Sequence, residues 1–272
     1  MLNRFKAAKQ AEIESLKEQH RAGMLPDIFP GQRPSLAKAL GPPGQVAIMA
    51  EYKPASPSRG VINPDVSPAE MAAVYRRGRA GAVSVLTEER YFQSSLACLG
   101  EMQATGLPLL RKDFILDPLQ VRQTAATPAS ALLLIVRMFF DQPEVLAGLH
   151  RESARLGLEA VVEVFARQDL ELARRIGAGI IQVNNRDLSS LEVDLETSRE
   201  LIRQKHNNEL WISASGISQG EQVREMAGLG FNACLVGTAL MAGKDPLGKL
   251  KELTAAGKSR HSRDISTGIE TL

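Results

Sequence analysis

Cysteine is nearly absent. Only Cys98 and Cys234 occur, with no C-x-x-C pair and no Cys/His cluster. That excludes a disulfide framework and a thiolate zinc site, and it fits a reducing compartment. A dominant charge is missing too: 33 basic against 31 acidic residues leave +2, which gives neither nucleic acid nor an anionic membrane a basic surface. Long apolar runs are also lacking. The most apolar stretch, Ala131 to Val136, is broken by Arg137, far short of the roughly 20 residues that span a bilayer. Arg4, Lys6 and Lys9 have no apolar segment behind them, so no signal peptide is read there. With 44% apolar and 24% charged residues, the expectation is a soluble cytoplasmic protein. Its 272 residues suffice for one large core.

What is present is a repeat of short apolar runs. Strands are predicted at Val46–Glu51, Ala82–Thr87, Leu107–Arg111, Ala131–Val136, Ala160–Val164, Ile180–Asn184, Leu210–Ala214 and Ala233–Val236. Helix starts lie between them. Ser67-Pro68-Ala69-Glu70 reads as a capping box, Asp141 with Glu144 repeats the pattern, and Asp117-Pro118 and Asp245-Pro246 are cap-plus-proline entries. Apolar strands separated by helices imply a parallel sheet covered by helices. Eight such units predict a (β/α)8 TIM barrel, with an open doubly wound sheet as the alternative.

The expected organisation is a single (β/α)8 barrel domain over 1–272. Residues 1–45 form an N-terminal helical extension, and 258–272 form a polar, frayed tail. Residues 2–20 place Leu2, Phe5, Ile13 and Leu16 among polar neighbours, which suits a helix packed over the barrel; a partner-binding helix is the alternative.

Polar residues then fall where the barrel strands end. Strand 1 ends in Glu51 and Lys53, two apart and so on the same side. Strand 3 runs into Lys112, strand 5 contains Glu163, and strand 6 ends at Asn184 with Arg186 beyond it. Taken singly, each has an ordinary explanation. A glutamate pairs with a neighbouring lysine, a surface lysine snorkels, and Ser56 and Ser58 serve a turn. Together they converge on the C-terminal mouth of a barrel, where catalytic groups gather. Two lysines and two glutamates there cancel in formal charge. Ser215-Gly216 after strand 7 and Gly237-Thr238 after strand 8 put small residues where such barrels bind phosphate, at a helix N-terminus. Cys234 reads as core filling.

These motifs, in order, are "AEYKPASPSRG", "SVLTEERYF", "PLLRKDFILDPLQV", "ALLLI", "VVEV", "VNNRDL", "SASGI" and "LVGTALM". The sequence so read resembles the indole-3-glycerol-phosphate synthase family, from the N-terminal helix to about residue 250. The resemblance implies a barrel enzyme that needs no metal or organic cofactor. Its small phosphorylated substrate is 1-(2-carboxyphenylamino)-1-deoxyribulose 5-phosphate, which cyclises with loss of CO2 and water. It also implies roles: Lys112 the general acid, Glu163 the acid–base glutamate, and Lys53 the partner of the substrate carboxylate and a second proton donor. Glu51 and Asn184 fall on supporting positions, and Ser56 lies near the carboxylate. Ser215, Gly216, Gly237 and Thr238 fall on the phosphate site; Arg186 and Ser58 are supporting candidates, with a purely structural role the alternative for Arg186. No sequence feature assigns an association with other tryptophan-pathway enzymes.

Departures from the family pattern are visible. Ala214 stands where the family usually has a glutamate, Gln182-Val183 where a glycine usually precedes the Asn-Asn pair, and Phe92-Gln93-Ser94-Ser95 where Phe-x-Gly-Ser is usual. Two other functions stay open. A barrel isomerase of the phosphoribosylanthranilate type would want a cysteine after strand 1, and none is there. A catalytically impaired barrel acting as a binding protein is favoured by Ala214 and opposed by Lys112 and Glu163.

Overall fold

Strands that are apolar along both faces have to be covered on both, and a closed sheet ringed by helices achieves this. In the computed structural model, which describes residues 2–41, 45–187 and 190–258, eight parallel strands close into a barrel. They are β1 (Ala47–Tyr52), β2 (Ala82–Leu86), β3 (Leu109–Lys112), β4 (Ala131–Ile135), β5 (Glu159–Val164), β6 (Ile180–Asn184), β7 (Leu210–Ala214) and β8 (Ala233–Val236). Each pairs with its sequence neighbours, and β1 closes the ring against β8 through Ala47↔Ala233 to Ala50↔Val236. The open-sheet alternative is thereby excluded. Among the described residues, no helix is long and apolar enough to cross a membrane.

Local chemistry sets the helix entries. Ser67 and Glu70 exchange the two bonds of a capping box ahead of the helix Pro68–Arg77. Asp117 and Gln120 do the same ahead of Pro118–Ala125. Asp245 Oδ1 accepts from Gly248 N at 2.8 Å before the closing helix Pro246–Lys258. Lys258 is thus helical, and the rest of the tail expected from 258 lies outside the described residues.

Several expectations need correcting. Asp141 does not cap its helix. A 3-10 turn, Val136–Met138, follows β4, and the helix begins at Pro143 with Gln142 before it. Proline, with its fixed φ, sets the start. β3 begins at Leu109 rather than Leu107. Pro108 has no N–H for the ladder, although its carbonyl accepts from Val83 N at 2.9 Å. The later start carries Lys112 inside the strand. The serine loop after β1 is a small antiparallel hairpin, Ala55–Ser56 with Gly60–Val61, turned at Gly60 with φ 63°.

The N-terminal helix, α1 (Leu2–Arg21), buries Phe5, Ile13 and Leu16 as its periodicity predicts, and Lys9 as it does not. Phe5 stacks on Phe114 with ring centroids 4.2 Å apart and meets the edge of Tyr91 at 5.2 Å. Lys9 Nζ lies 2.6 Å from Asp113 Oδ1, while Asp113 Oδ2 accepts from Arg111 at 2.9 Å and from Thr87 at 2.6 Å. Arg111 and Asp113 flank Lys112, so α1 is pinned to the backbone that carries it.

This network has a pH signature. Burial pushes the Asp113 carboxyl up, but Arg111, Lys9 and Thr87 outweigh it and hold it at about 2, against 3.8 ordinarily. A carboxyl depressed on folding adds stability above its unfolded value, and that stability is lost as pH falls through the folded value. The contribution, on the order of 2 kcal/mol, is present at pH 5 and fades from about pH 4 to pH 2. Asp113→Asn takes one carboxylate from Lys9 and Arg111 but leaves them Glu12, at 2.6 and 3.1 Å, and should destabilise by about 1.5–3 kcal/mol at pH 7. Urea titrations from pH 7 to pH 2 should show that gap narrowing as the wild type loses its advantage.

Candidate active site

Alternation along each strand decides which side chains enter the barrel mouth. Every residue expected at the strand ends lines one cavity of about 640 Å³, a size suited to a small organic ligand. These are Glu51, Lys53, Ser56, Ser58, Lys112, Glu163, Asn184, Arg186, Ser215, Gly216, Gly237 and Thr238.

Glu51 is the hub. Its Oε1 lies 2.8 Å from Lys53 Nζ and its Oε2 3.9 Å from Lys112 Nζ. One carboxylate therefore serves both lysines. Burial alone would raise the Glu51 carboxyl, but Lys53, then Lys112, with a smaller share from Arg186, hold it below its ordinary value. The lysines are partly open, at 16% and 19% side-chain exposure against 4% for Glu51. The anion is thus the fixed member and the cations face the cavity.

Across the cavity, β5 presents Glu163, nearly fully buried. Its Oε2 accepts from Gln182 Nε2 at 2.5 Å. Asn184, at the end of β6, accepts on Oδ1 from Ser215 Oγ at 2.9 Å and from Arg186 N at 3.0 Å. It ties the strand to the turn after β7. In the hairpin, Ser56 Oγ and Ser58 Oγ are 3.4 Å apart, so the two hydroxyls present one polar edge.

After β7 the chain passes through two left-handed residues, Ser215 at φ 71° and Gly216 at φ 86°. A Cβ on Gly216 would meet Val193 Cγ1 at 2.5 Å, so space and conformation both require glycine. The helix N-terminus expected here is reduced. The helix after β8, Thr238–Met241, is a single turn, and after β7 none begins before Gly220. What remains are the first N–H groups of that turn, which lack intrahelical partners, at Thr238 and Ala239 in the cavity wall.

The sequence reading missed several wall residues. Arg59 lines the cavity from the hairpin, and Phe5, Phe92, Phe114 and Ile135 give it an apolar side. Arg59 was legible only as a turn residue beside Ser58. Burial, then Arg59, depresses the Arg186 guanidinium from its ordinary value, while Glu51 acts the other way. Arg186 also donates to Leu191 O at 2.7 Å, so it braces its own loop. Ala214 is buried in the wall. Cys98 and Cys234 are buried thiols outside the cavity, and burial pushes Cys234 up.

A family model described as indole-3-glycerol phosphate synthase matches residues 2–253. The chain belongs to the indole-3-glycerol phosphate synthase family. Relatives of that name include one from Desulforamulus reducens, 36% identical over 263 residues, covering 94% of this chain and 98% of the relative. Another, from Geobacillus thermodenitrificans, is 39% identical over 249 residues, with 90% and 93% covered. Membership in the indole-3-glycerol phosphate synthase family makes the chain an enzyme, a ring-closing carboxy-lyase of tryptophan biosynthesis. In fold alone it is similar to 3-hexulose-6-phosphate synthase from Salmonella typhimurium, with TM-score 0.61 at 13% identity over 79% of this chain and 100% of that one. It is likewise similar to a tryptophan synthase alpha-subunit mutant from Pyrococcus furiosus, with TM-score 0.56 at 14% identity and the same coverage.

Proposed function

We propose that the family's ring closure, from 1-(2-carboxyphenylamino)-1-deoxyribulose 5-phosphate to indole-3-glycerol phosphate, is carried here by Lys112, Lys53 and Glu163 around the Glu51 hub. The observation that supports it most is the Glu51 carboxylate held between two lysine ammoniums, at 2.8 and 3.9 Å, in a cavity that also presents Glu163. Closure joins the aromatic carbon to the ketone carbon while the ketone oxygen takes up a proton, so Lys112 serves as the acid. The carboxylate then leaves as CO2, and Lys53 holds it until it does. The former ketone oxygen departs as water with a second proton, which Lys53 supplies. Glu163 takes the proton released as the ring becomes aromatic.

Charge supports this reading. Among the described cavity residues, Asp113 is neutralised by Lys9 and Arg111, while Glu88 keeps its charge and turns it to the N–H groups of Arg90, Tyr91 and Phe92. Lys53, Lys112, Arg59 and Arg186 then face Glu51, Glu163 and Glu88, four positive against three negative, which leaves a small positive excess. An anionic substrate with a carboxylate and a phosphate meets that excess. The phosphate goes to Ser215, Gly216, Gly237 and Thr238, largely through backbone N–H groups, and the aryl ring goes to the phenylalanine side. Ser56 and Ser58 border the carboxylate, while Asn184 and Arg186 hold the neighbouring loops. The N-terminal extension, as a cover on the one barrel domain, closes the mouth through Phe5 of α1.

Purified protein and the substrate, followed by fluorescence of the indole product, test this directly. Lys53→Ala should raise KM and lower kcat together, each by about 10-fold or more, since binding and proton donation both use it. A change in KM alone would confine Lys53 to binding.

A further inference from the structure

We propose that Gln182 is the positioning residue of the Glu163 carboxylate, an amide that this chain has built beneath its acid–base group. This inference rests on the role given above to Glu163.

Gln182 lies in the middle of β6, in register with Glu163 on β5. It shares the inward face with Asn184, two residues on. Its side chain is fully buried, and its Nε2 donates to Glu163 Oε2 at 2.5 Å. The amide cannot sit the other way, because an amide oxygen facing a carboxylate oxygen would repel it.

Three observations make this contact more than packing. First, no cation among the described residues lies within ion-pair distance of Glu163, although Glu51 has two. A buried carboxylate needs a compensating donor, and the amide is the one recorded. Second, Gln182 Oε1 is buried and finds no partner among the described residues. An amide half unsatisfied in a barrel interior is unfavourable for folding, as expected when a residue is kept for its donor. Third, β5 and β6 pair with Glu163 opposite Gln182, so the backbone register itself places the donor on the carboxylate.

The chemistry follows from geometry. Glu163 has to receive a proton at a carbon of a planar ring, so one oxygen must be aimed while the other is held. Gln182 holds Oε2, and Glu163 itself lines the cavity. Without the amide the carboxylate can rotate about its last torsion. A displacement of about 1 Å is enough to cost up to 100-fold in rate.

The experiment compares Gln182→Met, which keeps the length and loses the donor, with Glu163→Gln and with the double variant. Gln182→Leu, of another shape, runs beside them so that a folding defect in one is not mistaken for the effect. Steady-state kinetics by product fluorescence and thermal midpoints are the readouts. Both Gln182 variants should lose kcat by about 10-fold or more with KM within about twofold, and their midpoints should fall by only a few degrees, the cost of one unsatisfied buried acceptor. The double variant should be no slower than Glu163→Gln, because positioning a base that is absent achieves nothing. Wild-type kcat in the Gln182 variants, or losses that multiply in the double, overturns the inference and leaves the role of Glu163 standing. Full activity in Glu163→Gln overturns that role, and the inference with it.

Discussion

Lys112→Ala should lower kcat by about 100-fold or more, the usual scale for a general acid. KM should change much less. Removing the ammonium leaves Glu51 still paired with Lys53 at 2.8 Å, so the buried carboxylate keeps a counter-ion and the barrel keeps its hub. The Lys112 side chain is 19% exposed, and truncating a partly open lysine leaves no sealed cavity of the kind that destabilises a core. Glu163→Gln should fall as far for the complementary reason: the shape is kept, but an amide cannot accept the proton from the ring. Product fluorescence gives both constants, and a thermal midpoint separates a lost group from a lost fold. A Lys112→Ala enzyme with its turnover intact would sink the mechanism while leaving barrel and family untouched.

What could be read from the chain, and what could not, divides along physical lines. The strands were legible because burial on both faces writes them as unbroken apolar runs, as in Leu132-Leu133-Leu134-Ile135, all buried. Where a polar residue interrupts such a run at its C-terminal end, the barrel topology alone sends it to the mouth, so Glu51, Lys112 and Asn184 could be placed. Contacts set by register were not legible. Gln182 stood out as a departure, yet its bond to Glu163 depends on β5 and β6 pairing at that level. Lys9 defeated the helical pattern because periodicity counts lysine as solvent-facing, and it is Asp113, far away in sequence, that together with Glu12 permits its burial. The hairpin after β1 was invisible because two-residue strands carry no period. The charge excess was hidden for a similar reason: whether Glu88 and Asp113 are free or already engaged is a matter of their partners, not of their spelling.

Gly237→Ala is the other substitution with a large expected effect, and its sign separates two accounts of that residue. The sequence assigns Gly237 to phosphate, as a place where backbone can approach an anion. Its φ of −115° is open to any residue, so conformation does not require glycine here. Space does. A Cβ at this position would run into Glu51, meeting Oε1 and lying 3.0 Å from Cδ, and Oε1 is the atom paired with Lys53. Glu51 cannot yield freely, because it is nearly fully buried and held from the far side by Lys112. A single methyl therefore has to displace the hub or spread β1 from β8, at about 1–3 kcal/mol of overpacking. Either way the two lysines lose their fixed counter-ion. We expect kcat and KM both to suffer, with kcat/KM down by about 100-fold and a midpoint lowered by only a few degrees. Gly237→Asp should be worse still, since it adds a negative charge beside Glu51 and beside the incoming phosphate. Gly216→Ala is the contrast. It strains a left-handed turn and presses on Val193, away from Glu51, so its effect should fall on KM. Should Gly237→Ala instead keep its kcat and raise KM alone, Gly237 would belong to the phosphate and Glu51 would have room to move.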